Sequence, residues 1–156
     1  DLVIADAPVP PGSRVRAFSH LLGETGVGIY GTKALCKILR KNFPASLAGA
    51  PMLLPLEHLP LRRSLDQWFD RLGIKPKVVA EFEDSALLKA FGREGVGVFP
   101  SQLAIETEVM RYFGVDKLGE VPGAQERLYA ISVEKRLKHP ATVAITAGAR
   151  ADVFKE

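Results

Sequence analysis

Short apolar runs alternate with amphipathic helical stripes along this chain. Runs rich in β-branched and aromatic residues predict strands at residues 2–5, 15–22, 27–30, 52–54, 118–121 and 128–133. Apolar residues at helical spacing predict helices over 33–41, 61–72, 105–113 and 140–154. Glycine and proline predict turns at 23–26 and 122–123. This alternation predicts an α/β sandwich with a mixed sheet.

The strongest local pattern lies between residues 78 and 100. Residues 78–82 predict a strand, Asp84 or Ser85 is a good N-cap for the helix that follows, and glycines end this helix before a second strand at 96–99. Such βαβ units build parallel sheets, whose ligand sites lie at the carboxyl ends of the strands. The pattern therefore predicts a concave binding domain in which the amides of Asp84 and Ser85 face the cleft.

Several segments carry a family resemblance. Residues 83–100, from Glu-Asp-Ser to Gly-Val-Gly-Val-Phe-Pro, resemble the effector-binding half of LysR-type transcriptional regulators. Other blocks that resemble this family, in the same order along the chain, are residues 1–5, 64–69, 127–132 and 139–141. Asp-Ala-Pro at 6–8 and Gly-Val-Phe-Pro-Ser at 97–101 most resemble sodium-responsive activators of Na+/H+ antiporter expression within the family.

The resemblance implies a fold and a function. The fold is a periplasmic-binding-protein-like (type 2) α/β sandwich of two subdomains, here truncated at its N-terminus. Residues 1–13 and 105–156 then form part of regulatory subdomain 1, and residues 14–104 form regulatory subdomain 2. The implied function is that of an effector-binding sensor domain in a homo-oligomer, which meets DNA only through an absent N-terminal helix-turn-helix. A buried-type strand directly after Asp1 also predicts a fragment.

Composition and charge mainly exclude classes of function. The chain has 21 basic and 18 acidic residues, and a net charge of +3 is too small and dispersed to predict a nucleic-acid surface. The single cysteine, Cys36, excludes an internal disulfide, fits a reducing cytoplasm and is predicted to be a packed structural thiol. No apolar run is long enough to cross a bilayer, so no membrane partner is predicted.

No catalytic constellation emerges from the sequence. His20, His58 and His139 lack the spacing of metal ligands, and the glycine-rich runs lack the Lys-Ser/Thr pair of a phosphate loop. We therefore predict no enzymatic activity, no cofactor and no metal site. His139 precedes Pro140 and is predicted to be a surface or capping residue.

The predicted ligand-binding residues lie in loops that follow strands: Asp6, Leu56, Glu57, Asp84, Ser85, Ser101 and Gln102. The amides at Ser85 suit an anion or a carbonyl, whereas the carboxylates of these loops offer hard oxygen ligands to a small cation. Asp84 and Ser85 are equally good helix caps that need no ligand. The resemblance places a small effector in the cleft between the subdomains and implies Na+ as that effector.

Two other classes of protein stay open. A two-lobed solute-binding protein for a small ligand has the same fold, and a small-molecule enzyme could use a doubly wound sheet. The cytoplasmic type of cysteine usage and the pattern at 83–100 favour the regulator. The lack of a convergent acid, base or nucleophile argues against the enzyme.

Overall fold

The computed structural model describes residues 2–14 and 16–154. Its strands are β1 (Leu2–Ala5), β2 (Phe18–Gly31), β3 (Pro51–Pro55), β4 (Lys77–Phe82), β5 (Phe99–Gln102) and β6 (Asp116–Ser132). Its helices are α1 (Lys33–Leu39), α2 (Pro60–Leu72), α3 (Ser85–Arg93), α4 (Glu106–Phe113) and α5 (Pro140–Gly148). Short 3₁₀ turns occupy Arg40–Asn42, Ala45–Leu47 and Leu103–Ile105, and a π-helical turn occupies Ala149–Val153. The predicted mixture of strands and helices is confirmed.

The chain forms two compact units. Unit 1 comprises Asp1–Thr25 and Glu126–Glu156, and unit 2 comprises Gly26–Gln125. Strands β2 and β6 are neighbours in the sheet, and each of them runs through both units. The assignment of residues 1–13, 14–104 and 105–156 to regulatory subdomains stays a prediction.

In unit 1, β1 pairs antiparallel with the end of β6, and Leu2 lies opposite Ser132. Contacts of Arg150 and Phe154 attach the C-terminal segment to β2. Arg150 Nη2 donates to the carbonyl oxygen of Leu21 at 2.7 Å. The ring of Phe154 packs so closely on Gly23 that a Cβ there would collide with it. Glycine at position 23 is therefore a requirement of packing.

The apolar stripe of α5 does not form a buried face. Val143 and Ala147 are exposed, and the buried residue of the helix is Thr146. Its hydroxyl donates to the carbonyl oxygen of Thr142 at 2.8 Å. A threonine that bonds back to its own helix satisfies its polar group and can be buried without another partner.

Strand β3 is the centre of unit 2. It pairs parallel with β4, and Met52 forms a parallel bridge with Val98 on its other side. Met52 and Leu54 point into one hydrophobic cluster and Leu53 into a second, as the period of two in a strand requires. Both faces of β3 are buried, which is typical of a central parallel strand.

Two predicted strand pairs are single strands in the structure. The turn expected at 23–26 is wrong, because β2 runs unbroken from Phe18 to Gly31. Its glycines serve close packing: Gly26 and Gly28 both lie against the side chain of Leu103. Val15, where the first of these strands was expected to start, lies outside the described residues.

The turn expected at 122–123 is also wrong, because β6 continues through it. Val121 and Ala124 are both buried in the same cluster, although residues three apart in a regular strand face opposite sides. Gly123 has a φ of +80°, which fits an extra residue accommodated as a bulge. The strand therefore continues through proline and glycine without ending.

The predicted strand at 96–99 begins later than expected. Val96 is exposed, Val98 forms only the bridge to β3, and β5 starts at Phe99. β5 then pairs antiparallel with β2, with Tyr30 opposite Phe99 and Gly28 opposite Ser101. The second strand of the predicted βαβ unit therefore makes only an isolated parallel bridge to β3, at Val98, and its main pairing is antiparallel. Among the described residues, no helix is long and apolar enough to span a bilayer.

Candidate functional site

Two of the predicted site loops meet at the carboxyl edge of the parallel strands. Pro55 at the end of β3 lies opposite Phe82 at the end of β4, so both strands end together. The next residue, Leu56, donates its N–H to the carbonyl oxygen of Phe82 at 3.0 Å. Leu56 and Glu57 therefore leave the sheet at the same edge as the loop that leads to Asp84 and Ser85, the edge where parallel sheets bind ligands.

Asp84 is the N-cap of α3. Its Oδ1 accepts hydrogen bonds from the N–H groups of Ala86 at 2.7 Å and Leu87 at 2.8 Å. These N–H groups at the helix start could otherwise bind an anion, but the Asp84 carboxylate already accepts their hydrogen bonds. The negative charge of Asp84 would also repel an anion. Ser85 is exposed at the first position of the helix. This geometry favours a cation or a neutral ligand at the edge.

Arg62 is a residue of this edge that was not singled out from the sequence. Its side chain is buried, and its Nη1 donates to the carbonyl oxygen of Pro55 at 2.9 Å. Its Nε donates to both carboxylate oxygens of Asp66, at 3.0 and 3.1 Å, and Nη1 also pairs with Glu81. Nη2 lies 4.0 Å from Oε1 of Glu57. One guanidinium thus holds the ends of β3 and β4 and the first turns of α2 together.

The charge of Arg62 is secured by its partners. Burial by itself lowers the pKa of the guanidinium, but the hydrogen bonds to Glu81 and Asp66 outweigh it, so the pKa of Arg62 is raised. Of these contacts, only the pair with Asp66, four residues along the same helix, could be predicted from spacing. The partners on β3 and β4 become neighbours only through strand pairing.

The remaining predicted site residues lie elsewhere. Ser101 is buried on β5, and Gln102 is half-buried and pairs with Val27 of β2. Asp6 follows β1 in unit 1 and is exposed. Its part in a ligand site stays a prediction.

In the described part of the chain, no group of three His, Cys, Asp or Glu residues could hold a metal ion. His139 Nδ1 accepts from the N–H of Ala141 at 3.3 Å, which confirms a capping role. Cys36 is buried, and its Sγ lies 3.4 Å from the carbonyl oxygen of Asp116. Burial raises the pKa of this thiol. Its place inside the larger core cluster confirms a packed structural cysteine.

Comparison with known proteins gives consistent results from sequence and from fold. The chain is 31% identical over 141 residues to the transcriptional activator protein NhaR of Escherichia coli, and equally to that of Shigella flexneri. The match covers 90% of this chain but 46% of NhaR, so the chain spans about half the length of these curated relatives. No family model matches the chain.

Solved effector-binding domains have the same fold. The effector domain of the regulator AmpR of Pseudomonas aeruginosa matches with a TM-score of 0.68 at 16% identity, over 97% of this chain and 70% of that one. The regulatory domain of HypT from Salmonella typhimurium matches with a TM-score of 0.66 at 14% identity, over 97% and 73%. The effector-binding domain of QuiR in complex with shikimate matches with a TM-score of 0.61 at 16% identity, over 100% and 73%.

These similarities confirm two predictions made from the sequence. The resemblance to effector-binding domains of LysR-type regulators is confirmed by the sequence match and by the fold. The fold class, periplasmic-binding-protein-like type 2, is confirmed as well.

Proposed function

We propose that this chain is the effector-binding part of a LysR-type transcriptional activator that controls Na+/H+ antiporter expression in the cytoplasm. The observation that carries this proposal is the similarity to NhaR over 90% of the chain. The fold supports it, because the matched domains are the effector-binding or regulatory parts of transcriptional regulators. The chain acts without enzymatic chemistry, within a homo-oligomer that meets DNA through a separate DNA-binding part.

The effector site that we propose lies at the carboxyl edge of β3 and β4, at Glu57, Asp84 and Ser85. A ligand that binds one arrangement of the protein more tightly shifts the population toward it. Such a shift alters how the DNA-binding parts of the oligomer meet their sites. Arg62 supports this edge by fixing the strand ends from which both loops leave.

Sodium, the effector that the resemblance implies, suits this edge chemically. It is a hard cation that prefers oxygen ligands, as carboxylates and backbone carbonyls provide. Asp84 uses Oδ1 for the helix cap, which leaves Oδ2 for a cation. Glu57 is exposed and its carboxylate lies within reach of the same edge.

The site can be tested by separating the charge of Asp84 from its capping role. Asp84→Asn keeps a capping oxygen, because Asn and Asp are similar N-caps, but it removes the carboxylate. In the intact activator we expect Asp84→Asn and Ser85→Ala to require about fivefold more NaCl for a half-maximal response, as the loss of about 1 kcal/mol of binding implies. The measurement is a reporter titrated with NaCl at fixed osmolarity. DNA affinity, measured in parallel, should stay at the wild-type value.

The matched control is Asp70→Asn, which removes an exposed carboxylate from the end of α2, away from this edge. Its response should equal that of the wild type. A normal sodium response in both Asp84→Asn and Ser85→Ala, with both proteins folded, would leave these residues as ordinary parts of a helix start and contradict the proposed site.

A further inference from the structure

Two hydroxyl groups of unit 2 are buried without a partner. The side chain of Tyr30 is 0% exposed and that of Ser101 is 3% exposed. Within the described residues, neither Tyr30 Oη nor Ser101 Oγ has a hydrogen-bond partner. Folded proteins satisfy nearly all buried polar side chains with protein groups or with ordered water. Two such hydroxyls in one small region therefore indicate a bound polar ligand.

Both hydroxyls lie on the same face of the β2–β5 pair. Gly28 is the antiparallel partner of Ser101, and directly opposite residues share a face with their Cβ positions about 5 Å apart. Tyr30 lies two residues along β2 and shares this face. Its ring leans back over Gly28, where a Cβ would lie 3.0 Å from Tyr30 Oη. The phenol oxygen thus takes the place of a side chain opposite Ser101.

Apolar side chains close this space. Leu103 lies across two glycines, because its Cδ1 is 2.8 Å from the position of a Cβ on Gly26 and its Cδ2 is 3.0 Å from that on Gly28. On the other side, Phe99 stacks against Tyr30 with ring centroids 6.1 Å apart. The absence of side chains at both glycines leaves room for Leu103 and for the tyrosine hydroxyl.

The tyrosine keeps its proton in this environment. Burial raises the pKa of Tyr30, and the negative charges of Glu106 and Glu120 raise it further. The phenol therefore remains a hydrogen-bond donor at physiological pH. A serine hydroxyl can donate or accept a hydrogen bond. The pair therefore offers the tyrosine hydroxyl as a donor and the serine hydroxyl as a donor or an acceptor.

We infer that Tyr30 and Ser101 share one small polar ligand, an ordered water molecule bound by both hydroxyls. A water makes hydrogen bonds of about 2.8 Å on each side and so bridges oxygens up to about 5.6 Å apart. Tyr30 Oη reaches the place of the side chain directly opposite Ser101, so the two hydroxyls are near enough to share a water. Buried waters typically serve such otherwise unsatisfied groups. This water joins the Ser101–Gln102 end of β5 to β2, and the inference does not rest on the proposed function.

A double-mutant cycle tests the shared water directly. Tyr30→Phe and Ser101→Ala each remove one hydroxyl, and unfolding by urea gives the equilibrium constant of unfolding. We expect each single change to raise this constant about tenfold, the usual value of one hydrogen bond. The double variant should be no less stable than either single one, because the water is already lost after the first change. The control is Tyr112→Phe, at an exposed tyrosine of α4, which should change the constant less than about twofold.

Opposite results would overturn the inference. If the two hydroxyls are truly unpaired, removing either one leaves the unfolding constant unchanged or lowers it. If each has its own separate partner, the effects of the two changes add. Either outcome excludes a shared ligand.

Discussion

Trp68→Ala is expected to destabilise the protein by roughly 3–5 kcal/mol, the usual cost of truncating a large buried aromatic side chain. Trp68 is 4% exposed and belongs to the larger buried cluster of unit 2. Its ring lies 5.3 Å from that of Phe69 and 6.1 Å from that of Phe43, measured between centroids. Removal of the indole leaves a cavity between α2 and its neighbours that these rings can fill only in part. The measurement is urea-induced unfolding with the midpoint compared at constant slope.

The natural control for Trp68→Ala lies on the same helix. Leu72→Ala removes an apolar residue of the same predicted stripe, but Leu72 is 45% exposed, so its cost should be below about 1 kcal/mol. If Trp68→Ala unfolds at the same urea concentration as the wild type, Trp68 is not a core anchor.

Arg62→Ala is expected to cost about 2–4 kcal/mol of stability. Breaking a buried ion pair usually costs about 3–5 kcal/mol, and the partial exposure of Asp66 and Glu81 reduces this value. The change also leaves the carbonyl oxygen of Pro55 without its donor. Arg62→Lys keeps the charge but loses the planar fork that serves several acceptors at once, so about half of the loss should remain.

Arg63→Ala is the control for Arg62→Ala. Arg63 is exposed on the next position of α2, so its removal changes the net charge equally without breaking the cluster. Its stability should stay within about 0.5 kcal/mol of the wild type. Equal unfolding midpoints for Arg62→Ala and Arg63→Ala would show that the buried cluster contributes nothing beyond surface charge.

The elements that could be predicted are those that depend on neighbouring residues. Helix α2 has its apolar stripe and its glycine end where the periodicity predicts them, with Gly73 in the left-handed conformation at a φ of +64°. The cap at Asp84 is similarly local, because it uses only the next three residues. The two false turns show the limit of such signals. Gly23 and Gly123 have local signals of a turn, but in the structure both lie inside continuous strands, Gly23 under the ring of Phe154 and Gly123 with a φ of +80°.

The loops of the candidate site could be predicted from the sequence. The residues that hold these loops and their neighbours in place could not. The loops at Leu56 and Asp84 follow recognisable strands, so their place at one sheet edge could be expected from the rule for parallel strands. Arg62 looked like one more polar residue on an amphipathic helix. Tyr30 looked like an ordinary apolar position in a strand. Both gain their roles from residues that are distant along the chain.

By itself, the sequence determined the succession of strands and helices, the cap of α3, the buried Cys36 and the resemblance to effector-binding domains, because each depends on contiguous residues or on their period. Only the tertiary structure decided that β2 and β6 run unbroken, that Arg62 joins two strand ends to a helix, and that the hydroxyls of Tyr30 and Ser101 share one buried face. These features depend on which strands pair and in what register. Register is settled by the packing of both faces of the sheet at once, a property that no local stretch of residues contains.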